Sequence, residues 1–109
     1  MLGEQEFQTK CDEAVSSLYS TLARASDEFE FDVDMNNGAL TVEFEDPRER
    51  FVVSPNSPVR QIWVSAHTTS YKLDWDAGRA AFVLASTGET LAEMMASAIR
   101  KRIPEFTLG

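Results

Sequence analysis

The chain is short of the residues on which most site chemistry depends, with one cysteine and one histidine in 109 positions. A lone Cys11 excludes an intrachain disulfide and a cysteine-rich zinc site. A lone His67, set among Ala66, Thr68 and Thr69, leaves nothing from which to build a His-x-x-x-His metal pair or a nucleophilic triad, and it reads as an exposed loop residue. Neither a glycine-rich phosphate loop nor an EF-hand loop is present. Nothing approaches the roughly 18 consecutive apolar residues that a bilayer-spanning helix needs. The stretch 1–10 is acidic and polar, without a basic segment leading into an apolar one and without an Arg-rich transit pattern, so a cytoplasmic protein is expected. Base is scarce early in the chain: residues 1–49 hold 13 of the 18 acids and three of the ten lysines and arginines. That imbalance argues against nucleic acid or an anionic membrane as the main partner and favours cations or a basic protein surface.

What is present fits one soluble domain over 1–109, since 43% hydrophobic and 26% charged residues are ordinary for a globular chain. Phe7, Cys11, Ala14, Val15, Leu18 and Leu22 recur at helical spacing and predict a helix over 4–24 that buries Cys11 as an inert thiol. A strand is expected over 29–36, then a hairpin turn at Asn37-Gly38 and a second strand over 39–45. Asp46-Pro47 marks another turn. A third strand over 50–53 leads into Ser54-Pro55-Asn56-Ser57-Pro58, which reads as a loop because proline donates no ladder hydrogen bond. Strands over 61–66, 70–75 and 81–84 follow. Thr90-Leu91-Ala92-Glu93 is a capping box opening a second helix, which Pro104 ends. Helix, about six strands and helix, joined by short links, imply an α+β two-layer sandwich with both helices on one face of an antiparallel sheet.

Two features carry chemistry. From Phe29 to Met35 apolar and acidic residues alternate, so a strand there turns Glu30, Asp32 and Asp34 to one face, with Asp27 and Glu28 just upstream. Acids form strands poorly and like charges two apart repel, so propensity does not account for the pattern. Neighbouring carboxylates sit roughly 7 Å apart along a strand, which lets an ion take one or two of them plus water. Hard oxygen donors of this kind suit ferrous, manganous, magnesium or calcium ions. The second feature is Gln61-Ile62-Trp63-Val64-Ser65. If Ile62 and Val64 face the helices, Trp63 stands on the open face as an interface anchor, within reach of Lys72 on the next strand. Trp75 shares the inward parity of Tyr71 and Leu73.

These segments resemble the frataxin family. Asn37-Gly38-Ala39-Leu40-Thr41-Val42-Glu43-Phe44 is similar to its Asn-Gly-Val-Leu-Thr-hydrophobic segment. Pro58-Val59-Arg60-Gln61-Ile62-Trp63-Val64-Ser65 resembles its Pro-x-x-Gln-Ile-Trp-Leu-Ser signature. Tyr71-Lys72-Leu73-Asp74-Trp75, the start of the last helix at Gly88-Glu89-Thr90-Leu91 with Glu93, and Glu6-Phe7 with Cys11-Asp12 follow in the family's order across about residues 4–102. The resemblance, closest to the bacterial members, implies the frataxin fold. It also implies a monomer that binds iron (Fe2+ or Fe3+) weakly and acts on the cysteine desulfurase and the iron–sulfur scaffold protein. By matching position it places the metal ridge on Asp27, Glu28, Glu30, Asp32 and Asp34 with Asp12, and the partner face on Gln61 and Trp63, with Lys72 and Asn56 beside them. Departures are Leu22-Ala23-Arg24-Ala25-Ser26, which lacks the family's late-helix acids, Ser54-Pro55-Asn56 in place of Asn-(Lys/Arg)-Gln, Thr69-Ser70 in place of Gly-Gly or Gly-Pro, and Ala81 or a neighbour in place of a sixth-strand tryptophan.

The first expectation is therefore a non-enzymatic protein that regulates, or supplies iron to, iron–sulfur cluster assembly. The alternative is an acidic interaction module that docks a basic protein without a physiological metal. A ferroxidase ranks last, because the carboxylate–histidine set of a di-iron centre is not visible.

Overall fold

The computed structural model describes residues 3–45 and 48–106, so the expected turn at Asp46-Pro47 lies outside the described residues. Helix α1 spans Glu4–Ala25 and buries Phe7, Cys11, Val15, Leu18 and Leu22 along one stripe. Six strands follow, β1 (Asp32–Asn36), β2 (Ala39–Phe44), β3 (Glu49–Asn56), β4 (Gln61–Ala66), β5 (Thr69–Asp76) and β6 (Ala81–Leu84), and then helix α2 (Leu91–Arg100). They form one antiparallel sheet in chain order β1-β2-β3-β4-β5-β6. Strand residues of one parity, among them Leu40, Val42, Phe51, Val53, Ile62, Val64, Leu73 and Phe82, join the apolar stripes of both helices in a single core. Among the described residues, no helix lies on the other face of the sheet. The α+β two-layer sandwich expected from the periodicities is the observed fold.

Local chemistry explains the joints. Asn37 and Gly38 both adopt the left-handed conformation, with φ of 54° and 80°, which is the geometry a two-residue hairpin requires. The Thr90 hydroxyl accepts from Glu93 N while the Glu93 carboxylate accepts from Thr90 N, so the capping box at α2 is complete.

Three expectations are corrected. Strand β1 begins at Asp32 rather than at residue 29. The amides of Ser26, Glu28 and Phe29 are spent on carbonyls at the end of α1 (Leu22, Ala25 and Ala25), so the backbone there closes the helix instead of joining a ladder. The alternation survives because Phe29 and Phe31 pack edge-on against Phe106 at 5.2 and 5.9 Å. Strand β3 runs on to Asn56, and residues 57–59 form a single 3-10 turn rather than a loop. Strand β2 flanks β3 only as far as Leu40↔Val53. Pro55 therefore stands where one neighbour remains, and its missing N–H need cost no ladder bond. The third correction is His67. It occupies the β4–β5 turn but is half-buried, with Nε2 2.8 Å from the Ala98 carbonyl, Nδ1 3.3 Å from the Glu49 carboxylate, and its ring 4.8 Å from that of Phe51.

Candidate functional site

The acidic feature is a bowl at the edge of the sheet where α1 hands over to β1. Asp27, Glu28, Glu30 and Asp32 line it, and so do Glu43 and Glu45. The last two were not among the expected site residues, although the sequence held the signal. A two-residue turn at Asn37-Gly38 sets the register, which pairs Asp32 with Glu43 and Asp34 with Thr41. Outward parity then carries Glu43 of β2, and Glu45 just past its end, to the side that Asp32 occupies.

Not every expected ridge residue joins the bowl. Glu30 does line it, but from the segment ahead of β1 rather than from the strand. Asp34 is exposed on β1, one outward position further along, where a side-chain oxygen accepts from Met35 N at 3.0 Å. Asp12 is an exposed residue of α1, one position from buried Cys11, and does not line the bowl. Glu43 is paired loosely with Arg50 at 3.7 Å, and Arg102 donates to the Glu45 carbonyl at 3.4 Å. Among the described residues no three His, Cys, Asp or Glu side chains converge as one metal cage. The donor set fits a hard cation held by one or two carboxylates with water completing its shell.

The second feature lies on the helix-free face. Strand parity sends Ile62 and Val64 into the core and leaves Trp63 37% exposed. The indole is fixed rather than loose. Its Nε1 donates to Gln61 Oε1 at 2.9 Å, and Gln61 Nε2 donates to Asp74 Oδ1 at 3.0 Å. Lys72, directly opposite on β5, holds its ammonium 5.0 Å from the ring centroid. Asn56 faces Gln61 across β3–β4, and Ser54 faces Trp63. The register thus brings Gln61, Trp63, Lys72 and Asn56 together and adds Asp74, which reaches Gln61 through a cross-strand pairing. Val59, at 47%, is the other large apolar side chain that stands exposed among the described residues. An aromatic ring with settled rotamer and satisfied N–H loses little entropy on being covered, as suits a docking anchor.

Cys11 takes no part in either region. It is fully buried, and burial together with the neighbouring Asp12 carboxylate pushes its thiol up to about 12.

An open-faced α+β sandwich, with an acidic bowl at the α1–β1 edge and a pinned tryptophan on the bare sheet, defines a class of small two-layer domain; among the described residues no helix is long and apolar enough to cross a membrane. The family model for the frataxin-like domain matches residues 1–105. The chain belongs to the frataxin family. It is similar to the iron-sulfur cluster assembly protein CyaY of Pseudomonas entomophila, at 31% identity over 93 residues covering 84% of each chain. It is likewise similar to that of Azotobacter vinelandii, at 26% over 95 residues covering 85% of this chain and 86% of the relative. Among solved structures, a frataxin from Psychromonas ingrahamii superposes with a TM-score of 0.74 at 20% identity, covering 97% of this chain and 96% of the other, which shows the shared fold.

Proposed function

We propose that this protein serves iron–sulfur cluster assembly in the cytoplasm as a weak iron binder that docks on the cysteine desulfurase and its scaffold protein, regulating assembly or supplying iron to it, without a catalytic step of its own. The relatives are named as iron-sulfur cluster assembly proteins, which supports the assembly role. The observation that carries the reading is the joint placement of the acidic bowl and the pinned Trp63 on one folded sheet. Asp27, Glu28, Glu30 and Asp32, with Glu43 and Glu45, offer hard oxygens that hold a cation loosely enough to release it. Asp34 and Asp12 act as outlying acids that raise the local cation concentration. Gln61, Trp63, Lys72 and Asn56 form the part of the docking surface that buries apolar area.

Ferrous iron titrated under anaerobic conditions is expected to shift or broaden the backbone amides of residues 27–34 together with Glu43 and Glu45. An unchanged spectrum there removes the metal role. Trp63→Ala is expected to weaken desulfurase–scaffold binding by about 2 kcal/mol or more while leaving the thermal midpoint nearly unmoved, because the indole lies outside the core. Undiminished binding moves the interface elsewhere.

The absence of a converged three-ligand cage among the described residues favours a second reading, an acidic module that docks a basic surface with no metal. Reversing Glu30, Asp32 and Asp34 to lysine separates the two. The metal-free module loses partner affinity with and without iron, whereas the iron-dependent protein loses only the iron-dependent increment.

A further inference from the structure

On the helix-bearing side, between α1 and the start of α2, lies a cavity of about 500 Å³ that neither region above uses. Trp75, Phe82 and Leu91 give it a mainly apolar wall, which Ser17, Thr21 and Thr90 also line. The indole of Trp75 meets Phe82 edge-to-face at 5.2 Å, and Phe82 is buried, so the floor is rigid. The space exists because Ala14, Ala81 and Ala92, which also line it, are too small to fill it. Its volume falls in the range of roughly 300–1,000 Å³ that small-ligand pockets occupy.

Two opposite charges line the same cavity. They stand at its solvent-exposed edge as a loose pair one helical turn apart on α1, with Lys10 Nζ 5.6 Å from the centroid of the Trp75 ring and 3.7 Å from Glu13 Oε1. We propose that this cavity binds the zwitterion of a free amino acid with an aromatic or branched apolar side chain. The paired charges decide the class. A monoanion would take Lys10 and leave Glu13 facing a second negative charge, in a chain whose net charge is already −8. A monocation would take Glu13 and strand Lys10. A zwitterion presents its carboxylate to Lys10 and its ammonium to Glu13, so both keep an opposite charge while the apolar side chain covers Trp75 and the edge of Phe82.

The two tryptophans make the test direct, because Trp63→Phe leaves Trp75 as the single indole of the chain. L-Phenylalanine and L-leucine are expected to change Trp75 emission saturably. Phenylacetate, which lacks the ammonium, and phenethylamine, which lacks the carboxylate, should each bind about tenfold more weakly, the loss of roughly one charge-assisted contact. Lys10→Met and Glu13→Gln should each weaken L-phenylalanine by a similar factor. Ala81→Leu should abolish the response while the protein still melts cooperatively, which separates a filled cavity from a failed fold. The proposal is overturned if neither amino acid gives saturation, if all four probes bind alike, or if folded Ala81→Leu binds as before.

Discussion

Trp63 and Cys11 show how one position sets a side chain's fate. Trp63 follows Ile62 and precedes Val64, so strand parity sends it out of the core as surely as it sends them in. Cys11 lies on the buried stripe of α1, and its raised thiol has a consequence for stability. The unfolded chain releases the Cys11 proton near 9, whereas the folded protein holds it up to about 12. Between those values the native state binds the extra proton, so stability falls as pH rises across that window. Cys11→Ala is expected to cost about 1 kcal/mol at neutral pH through the lost sulfur contacts and to flatten the alkaline decline. Denaturant melts from pH 7 to 11 check this; an unchanged alkaline slope would show that Cys11 does not set it.

At the scale of elements, the helices and hairpins carry their own punctuation. Thr90 and Glu93 satisfy each other's backbone at the head of α2, and Thr90→Ala is expected to destabilise the protein by about 1 kcal/mol, read as a lower denaturant midpoint at constant slope. Neighbouring elements also overruled local pattern. The residues before Asp32 alternate like a strand, yet their amides are taken by the end of α1. Ser54-Pro55-Asn56 has the composition of a loop, yet β4 pairs with it because β2 has already ended. His67 has the sequence surroundings of an exposed turn, but the end of α2 and the start of β3 close over it. The first two are decided by partners within ten residues, whereas His67 is held by Glu49 and Ala98, far away in the chain. Phe106, fully buried against Phe29 and Phe31 beyond Pro104, was missed for the same reason.

For the molecule as a whole, the net charge of −8 is concentrated rather than spread, with the acids of the α1–β1 junction facing one bowl together with Glu43 and Glu45. Self-repulsion there makes a cation that binds the native state a stabiliser by mass action. Magnesium chloride is expected to raise the melting temperature by a few degrees more than sodium chloride at equal ionic strength, and Asp32→Asn with Glu43→Gln to remove the difference. Equal effects of the two salts would reduce the bowl to general screening.

Composition, periodicity and turn chemistry were enough to determine the helix–six-strand–helix order, the single core, the outward indole and the side on which the strand acids stand, because each follows from repeats of 2 or 3.6 residues along the chain. Tertiary structure alone decided that Asp34 and Asp12 stay out of the bowl, that Asp74 locks Gln61 and Trp63 in place, and that an unfilled cavity remains beside Trp75. Those outcomes depend on distances between segments far apart in sequence, which no local pattern encodes.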